Sequence, residues 1–301
     1  MMRAGRAPIL RGLVVTGVIA SVFFLLVLAL TLLIMGRPEL TESGERIAIV
    51  TLEGVISGEL AERTIRQLTR YGDDASIKAV VLRIDSPGGG VAPSQEIYQE
   101  VKRLRTKGKL VVASLGSLAA SGGYYVAAAV ERIFANPGTI TGSIGVIIQL
   151  ANAEQLLRKV GVDSTVIKSG PFKDSGTPTR PLRAEEREVF QAVVDDVYQQ
   201  FVEAVAQGRH LHEDEVRQLA DGRIYSGRQA KALNLIDEFG TLQDAVAYAA
   251  SSVGIVGKPR LVQEGKESLW WLKFLLEGMQ RLTAFPLFPT GDGVLQYRWV
   301  H

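Results

Sequence analysis

Cysteine is absent from the 301 residues, and histidine occurs only three times, as His210, His212 and His301. The first absence excludes disulfides, thiolate zinc sites and a cysteine nucleophile. It is compatible with an oxidising compartment without requiring one. The second leaves no credible histidine to activate a nucleophile. His210 and His212 lie in the run Arg209-His210-Leu211-His212-Glu213-Asp214-Glu215, the solvated start of a helix, and His301 is the last residue. No metal site is expected there, because a His-x-His pair presents both rings to one ion on a strand rather than on a helix. An excess of one charge is missing too: 34 Lys+Arg against 32 Asp+Glu leave +2. Neither nucleic acid nor a strongly acidic partner is therefore expected. Dinucleotide and P-loop glycine spacings are absent, and no cofactor is expected.

Charge is also lacking locally. No charged residue occurs between Gly12 and Gly36, a run of mostly Leu, Val, Ile and Phe. A bilayer core takes about 20 apolar helical residues, so residues 12–36 are long enough to span. Arg3, Arg6 and Arg11 precede the run, and no acid appears before Glu39. That asymmetry predicts a cytoplasmic N-terminus over residues 1–11 and a main body outside the cytoplasm, periplasmic or extracellular, on a single-pass protein of the inner or plasma membrane. A cleaved signal peptide would normally have a shorter apolar stretch and a small-x-small end. The run here ends Leu32-Leu33-Ile34-Met35-Gly36-Arg37-Pro38, so an uncleaved anchor is favoured.

What is present is a regular alternation. The polar residues 37–45 read as a linker. With 47% hydrophobic residues, the remainder builds a sizeable core. Strands are expected at 47–52, 79–84, 110–115, 132–135, 145–150 and 164–168. Helices are expected at 59–71, 94–104, from about Ser121 to Val130, and at 153–160. This order argues for parallel βαβ units. A long amphipathic helix follows from about Ala184 to Gln207, stopped by Gly208, and Ser226 and Thr241 read as N-caps. Residues 46–256 form the expected catalytic domain, and 257–301, with Trp270 and Trp271, a helical or tail extension.

Acyl transfer needs a nucleophile, a base and donors for a developing oxyanion. Ser121, in Ala119-Ala120-Ser121-Gly122-Gly123-Tyr124-Tyr125, is flanked by residues that obstruct nothing. The N–H of Gly122 is a candidate oxyanion donor at a helix start. The plain alternative is a small-residue segment that lets a helix pack closely. The run Asp85-Ser86-Pro87-Gly88-Gly89-Gly90 follows a strand and offers further backbone N–H groups, or is simply a tight turn. Lys173, in Ser169-Gly170-Pro171-Phe172-Lys173-Asp174-Ser175, is the better base than any histidine, although most lysines are solvated surface groups. A free lysine is protonated at neutral pH. Lowering its pKa by about three units takes roughly 4 kcal/mol of disfavoured charge, supplied by burial. Ser143, in Thr141-Gly142-Ser143-Ile144-Gly145, is a candidate to hold the neutral amine.

These motifs occur in order and, with Asp221-Gly222-Arg223-Ile224-Tyr225-Ser226-Gly227, closely resemble signal peptide peptidase A, a bacterial family of membrane-bound serine-lysine proteases. The likeness covers roughly residues 47–250. It implies Ser121 as nucleophile, Lys173 as general base, Ser143 as the hydroxyl orienting the lysine, and Gly89 and Gly122 as oxyanion donors, with Gly88 adjacent to the first. It implies an α/β fold of the Clp protease and crotonase class, a spiral of βαβ units, in one copy. It also implies a homo-oligomer with active sites at subunit interfaces. The expected substrates are peptides, namely remnant signal peptides and similar apolar segments. Three other readings are a crotonase-like acyl-CoA enzyme, a processing protease for membrane-organising proteins and a non-enzymatic scaffold.

Overall fold

The computed structural model describes residues 21–26, 45–264 and 296–298. The chain divides into two units, residues 1–44 and 45–301. Within the first, residues 21–26 are helical, and Phe23, Phe24, Leu25 and Leu26 are 60–68% exposed. The remainder of the expected anchor at 12–36 lies outside the described residues, as does the Trp270-Trp271 segment. Among the described residues, no helix is long and apolar enough to cross a membrane.

The second unit begins with β1 (Arg46–Glu53), α1 (Gly58–Asp73), β2 (Ile77–Ser86), β3 (Gly88–Gly90), α2 (Val91–Thr106) and β4 (Leu110–Ala120). It continues with α3 (Gly122–Ala127), β5 (Arg132–Ala135), β6 (Ile140–Gly142), α4 (Glu154–Lys159), α5 (Ala184–Arg209) and α6 (Glu213–Leu219). Last come β7 (Ile224–Ser226), α7 (Gly227–Ala232), β8 (Glu238–Phe239), α8 (Leu242–Ser252), β9 (Arg260–Gln263) and β10 (Gln296–Arg298). The main sheet runs β7-β6-β4-β2-β1-β9, with β5 and β8 branching from β4. Its pairs are parallel except β6 with β7. The expected βαβ order is thus present, and β9 carries the sheet past residue 256.

Strand periodicity of two decides the layers. In β1, Ala48, Val50 and Leu52 face one core, which also takes in Leu60 and Leu68 of α1, Ile97 and Val101 of α2, and Phe201 and Val205 of α5. Ile47 and Ile49 face the other, closed by Ala245, Val246 and Ala249 of α8. The N-caps at Ser226 and Thr241 form as expected, accepting from the N–H groups of Gln229 and Asp244.

Three expectations change. Residues 145–150 and 164–168 form no strand of the sheet. They stay largely at the surface, Ile167 98% exposed, and among them Ile147 alone is in a β-bridge. Nor does Gly208 stop the long helix, which continues to Arg209 and is capped by His210 at φ 56°. Gly208 is bare for another reason: a Cβ there would overlap the carbonyl of Ala128. The helix from about Ser121 to Val130 is shorter than expected, covering Gly122–Ala127.

The fully buried Tyr124 of α3 donates from its hydroxyl to the carbonyl of Leu235 at 2.8 Å. Tyr124→Phe leaves that buried carbonyl short of a donor and is expected to cost about 1–3 kcal/mol. Urea unfolding followed by far-UV circular dichroism measures this, and an unchanged midpoint would contradict it.

Candidate active site

The site begins with a defect in the sheet. β2 and β4 pair evenly up to Ile84↔Leu115, and the next pair is Ser86↔Ala119. Two steps along β2 thus correspond to four along β4, and the surplus lies at residues 116–118. There the Asp85 carboxylate accepts from the N–H of Ser117 at 3.4 Å and of Leu118 at 3.2 Å. Gly116 admits that carboxylate, since a Cβ would sit 2.5 Å from its Oδ2. Such a bulge re-aims a strand, a recurrent device beside active sites. Past it β4 leaves β5 and pairs with β6 through Leu118↔Ile140, Ala119↔Thr141 and Ala120↔Gly142.

This fork delivers Ser121 to the junction of β4 and α3. Its backbone takes φ 55°, ψ −120°, which lies outside the ordinary left-handed basin and costs a non-glycine residue of order 1–3 kcal/mol. The surrounding bonds hold it there: its N–H donates to the Gly142 carbonyl and its carbonyl accepts from Tyr125 N–H, both at 2.8 Å. A sharp, strained strand-to-helix turn is also how α/β-hydrolases present a serine nucleophile. Ser121 is 1% exposed. The small neighbours give α3 a close seat, since a Cβ on Gly123 would lie 3.0 Å from the Ser86 carbonyl. Close packing and a strained turn therefore coexist in this segment. Behind Ser121, Tyr125 packs edge-on to Phe201 (5.1 Å) and tilted against Tyr98 (4.9 Å). Burial pushes the Tyr125 hydroxyl up to about 12.

Ser143 follows β6 with φ 52°, is 7% exposed, and donates its N–H to the Arg223 carbonyl at 2.8 Å. Its neighbour Gly142 (φ 79°) accommodates Tyr225, whose ring would lie 2.5 Å from a Cβ. Gly89 sits in the three-residue β3, bridged in parallel to Ile56. Ile56 N–H donates to the Gly88 carbonyl at 2.9 Å, and Gly90 N–H to the Ile56 carbonyl at 2.8 Å. Gly88 N–H is engaged by the Ser86 hydroxyl at 3.1 Å. Along the other edge of β3 runs the chain's own β10, antiparallel, with Gln296↔Gly90, Tyr297↔Gly89 and Arg298↔Gly88.

Lys173 is placed differently. It is exposed, in the turn at residues 171–176, and no hydrogen bond or ion pair joins its Nζ to Ser121 or Ser143. Within one chain the structure thus groups the Ser121, Ser143 and Gly89 elements around the β4 fork and leaves Lys173 at the surface. Among the described residues no His, Asp or Glu cluster suited to a metal ion occurs. Sequence reasoning missed Asp85 as the anchor of the bulge, and Glu186. The Glu186 carboxylate is fully buried beside Arg180 and Arg183. The signal available for Glu186 was an acid in the first turn of a helix, just after Arg180 and Arg183, and that signal is common.

The profile of Peptidase family S49 matches residues 103–256, and that of Clp protease matches residues 41–140. The chain is 46% identical over 218 residues to a putative protease of Synechocystis sp., covering 72% of this chain and 78% of that one. It is 38% identical to a putative signal peptide peptidase SppA of Enterococcus faecium, covering 70% and 67%. With Protease 4 of Haemophilus influenzae the identity is 36%, over 69% of this chain and 35% of that longer protein. The fold is Clp protease-like. The chain belongs to peptidase family S49 and is a serine protease.

Proposed function

We propose that the chain is a membrane-anchored endopeptidase in which Ser121 attacks the scissile carbonyl and Lys173 of a neighbouring copy takes the serine proton. Ser143 orients the amine, and the N–H groups of Gly89 and Gly122 hold the oxyanion. Water then hydrolyses the acyl-enzyme. The observation that carries this reading is the strained backbone of Ser121 at the end of β4 (φ 55°, ψ −120°). Gly89 is favoured over Gly88 as donor, because Gly88 N–H is already engaged by Ser86.

Supply of the base from a second copy is supported by exposure. A lysine accepts a proton at neutral pH only where burial disfavours its ammonium, and Lys173 is at the surface of the single chain. Around it the chain exposes Ile147, Leu150, Val166, Ile167, Phe172, Val189 and Val193 by 40% or more. An apolar face of that extent suits contact with another subunit, which would cover the turn at 171–176.

The β3 edge suits an extended peptide, since the chain's own β10 adds to it antiparallel. Strand addition of this kind takes affinity from main-chain bonds, and an apolar signal-peptide remnant meets that requirement. A substrate on this edge displaces β10. Deletion of residues 290–301 is therefore expected to lower KM for a peptide several-fold, as progress curves would measure; a raised or unchanged KM would contradict it. Residues 12–36 provide the anchor, with residues 46–256 outside the cytoplasm. The test of the nucleophile is labelling by a fluorophosphonate with the adduct located by peptide mass spectrometry. It is expected on Ser121, and labelling elsewhere, or none, would sink the assignment.

A further inference from the structure

Glu186, in the first turn of α5, is a fully buried carboxylate that touches none of the residues assigned to the chemistry. A buried charge persists only where its partners replace water. Arg180 supplies two of them, Nη1 to Oε2 at 2.9 Å and Nη2 to Oε1 at 2.6 Å. Arg183 adds its backbone N–H to Oε2 and its Nε to Oε1, both at 3.0 Å. These bonds, that of Arg180 foremost, hold the Glu186 carboxyl far below the usual carboxylate range.

The same two arginines reach forward to the turn that carries Lys173. Arg180 donates from Nε to Asp174 Oδ2 and from Nη2 to the Asp174 carbonyl, each at 3.3 Å. Arg183 Nη2 donates to the Pro171 carbonyl at 2.6 Å. Lys168 Nζ adds bonds to the Pro171 carbonyl at 3.1 Å and to Asp174 Oδ1 at 2.5 Å. The turn has no strand or helix to fix it. It is gripped two residues before Lys173 and one residue after it, and both grips lead to one buried carboxylate.

We propose that Glu186, through Arg180 and Arg183, clamps the turn at residues 171–176 and so positions Lys173 for proton transfer. Glu186 is then a positioning residue, and the assignment rests on the reading of Lys173 as general base. Misplacement of a catalytic group by about 1 Å costs on the order of 10²-fold in rate. The bidentate fork matters in itself, because lysine cannot reproduce it.

The test uses the full-length assembled protein and a fluorogenic apolar peptide, comparing Glu186→Gln, Arg180→Lys and Lys173→Ala with the parent. Assembly is checked by sedimentation. Glu186→Gln and Arg180→Lys are each expected to lower kcat about ten- to a hundredfold, with KM within twofold. Should Glu186→Gln fail to assemble, Arg180→Lys, which keeps the charge, decides alone. Unchanged kcat in an assembled clamp variant, or a loss confined to KM, overturns the proposal while an inactive Lys173→Ala leaves the base reading standing. Full activity in Lys173→Ala overturns the base reading itself and removes the clamp's purpose with it.

Discussion

Ser121→Ala and Lys173→Ala are each expected to abolish peptide hydrolysis, and mixing the two variants is expected to restore part of it. Removing either member of a nucleophile–base pair typically costs on the order of 10³–10⁶ in kcat, because the two act as a unit. The mixing result separates two arrangements. If serine and lysine meet only across a subunit contact, Lys173→Ala chains contribute an intact Ser121 and Ser121→Ala chains an intact Lys173. In randomly mixed rings about a quarter of the sites combine the two. If both residues act within one chain, no site is complete and mixing restores nothing. The exposed position of Lys173, unconnected to Ser121 within the chain, predicts the first result. Dissociating and reassembling an equimolar mixture, then measuring hydrolysis, reads it directly.

Gly89→Ala is expected to lower kcat by about 10²–10³-fold, the loss typical for one oxyanion donor. The reason is spatial. A Cβ at Gly89 would overlap both the carbonyl oxygen and the nitrogen of Ile56. Those are the atoms that bond Gly90 and Gly88 on either side. The methyl group can be housed only by shifting β3 away from Ile56, and the Gly89 N–H moves with it. The expected signature is a fall in kcat with Ser121 still buried and the fold intact. Wild-type kcat in Gly89→Ala would show that β3 plays no part in the oxyanion's stabilisation.

Much of this was legible in the sequence, for identifiable reasons. The run at residues 79–84, apolar but for Arg83, reads as a strand buried on both faces, and β2 is such a strand. The small residues around Ser121 announced close approach, which Gly123 against Ser86 confirms in the structure. The strain at Ser121 was not legible, because φ is fixed by the bonds from Gly142 and Tyr125 and not by any local residue preference. Nor was the bulge at residues 116–118, which depends on a carboxylate more than 30 residues earlier in the chain. The stretches at 145–150 and 164–168 have the Val and Ile content of strands. Here they lie largely at the surface of a single chain, as an assembly contact would require. Gly208 illustrates the ambiguity of glycine: the same residue type that ends helices also permits two backbones to touch.

Family membership sets aside the acyl-CoA and scaffold readings of the glycine-rich turns. The proposed chemistry still turns on one contact. It is tested most directly by the separation of Ser121 Oγ and the nearest Lys173 Nζ in a structure of the assembled protein. A distance of about 2.6–3.2 Å is expected, with the amine contributed by an adjacent copy and shielded from water. A lysine remote from every Ser121, or one still bathed in solvent after assembly, would contradict it.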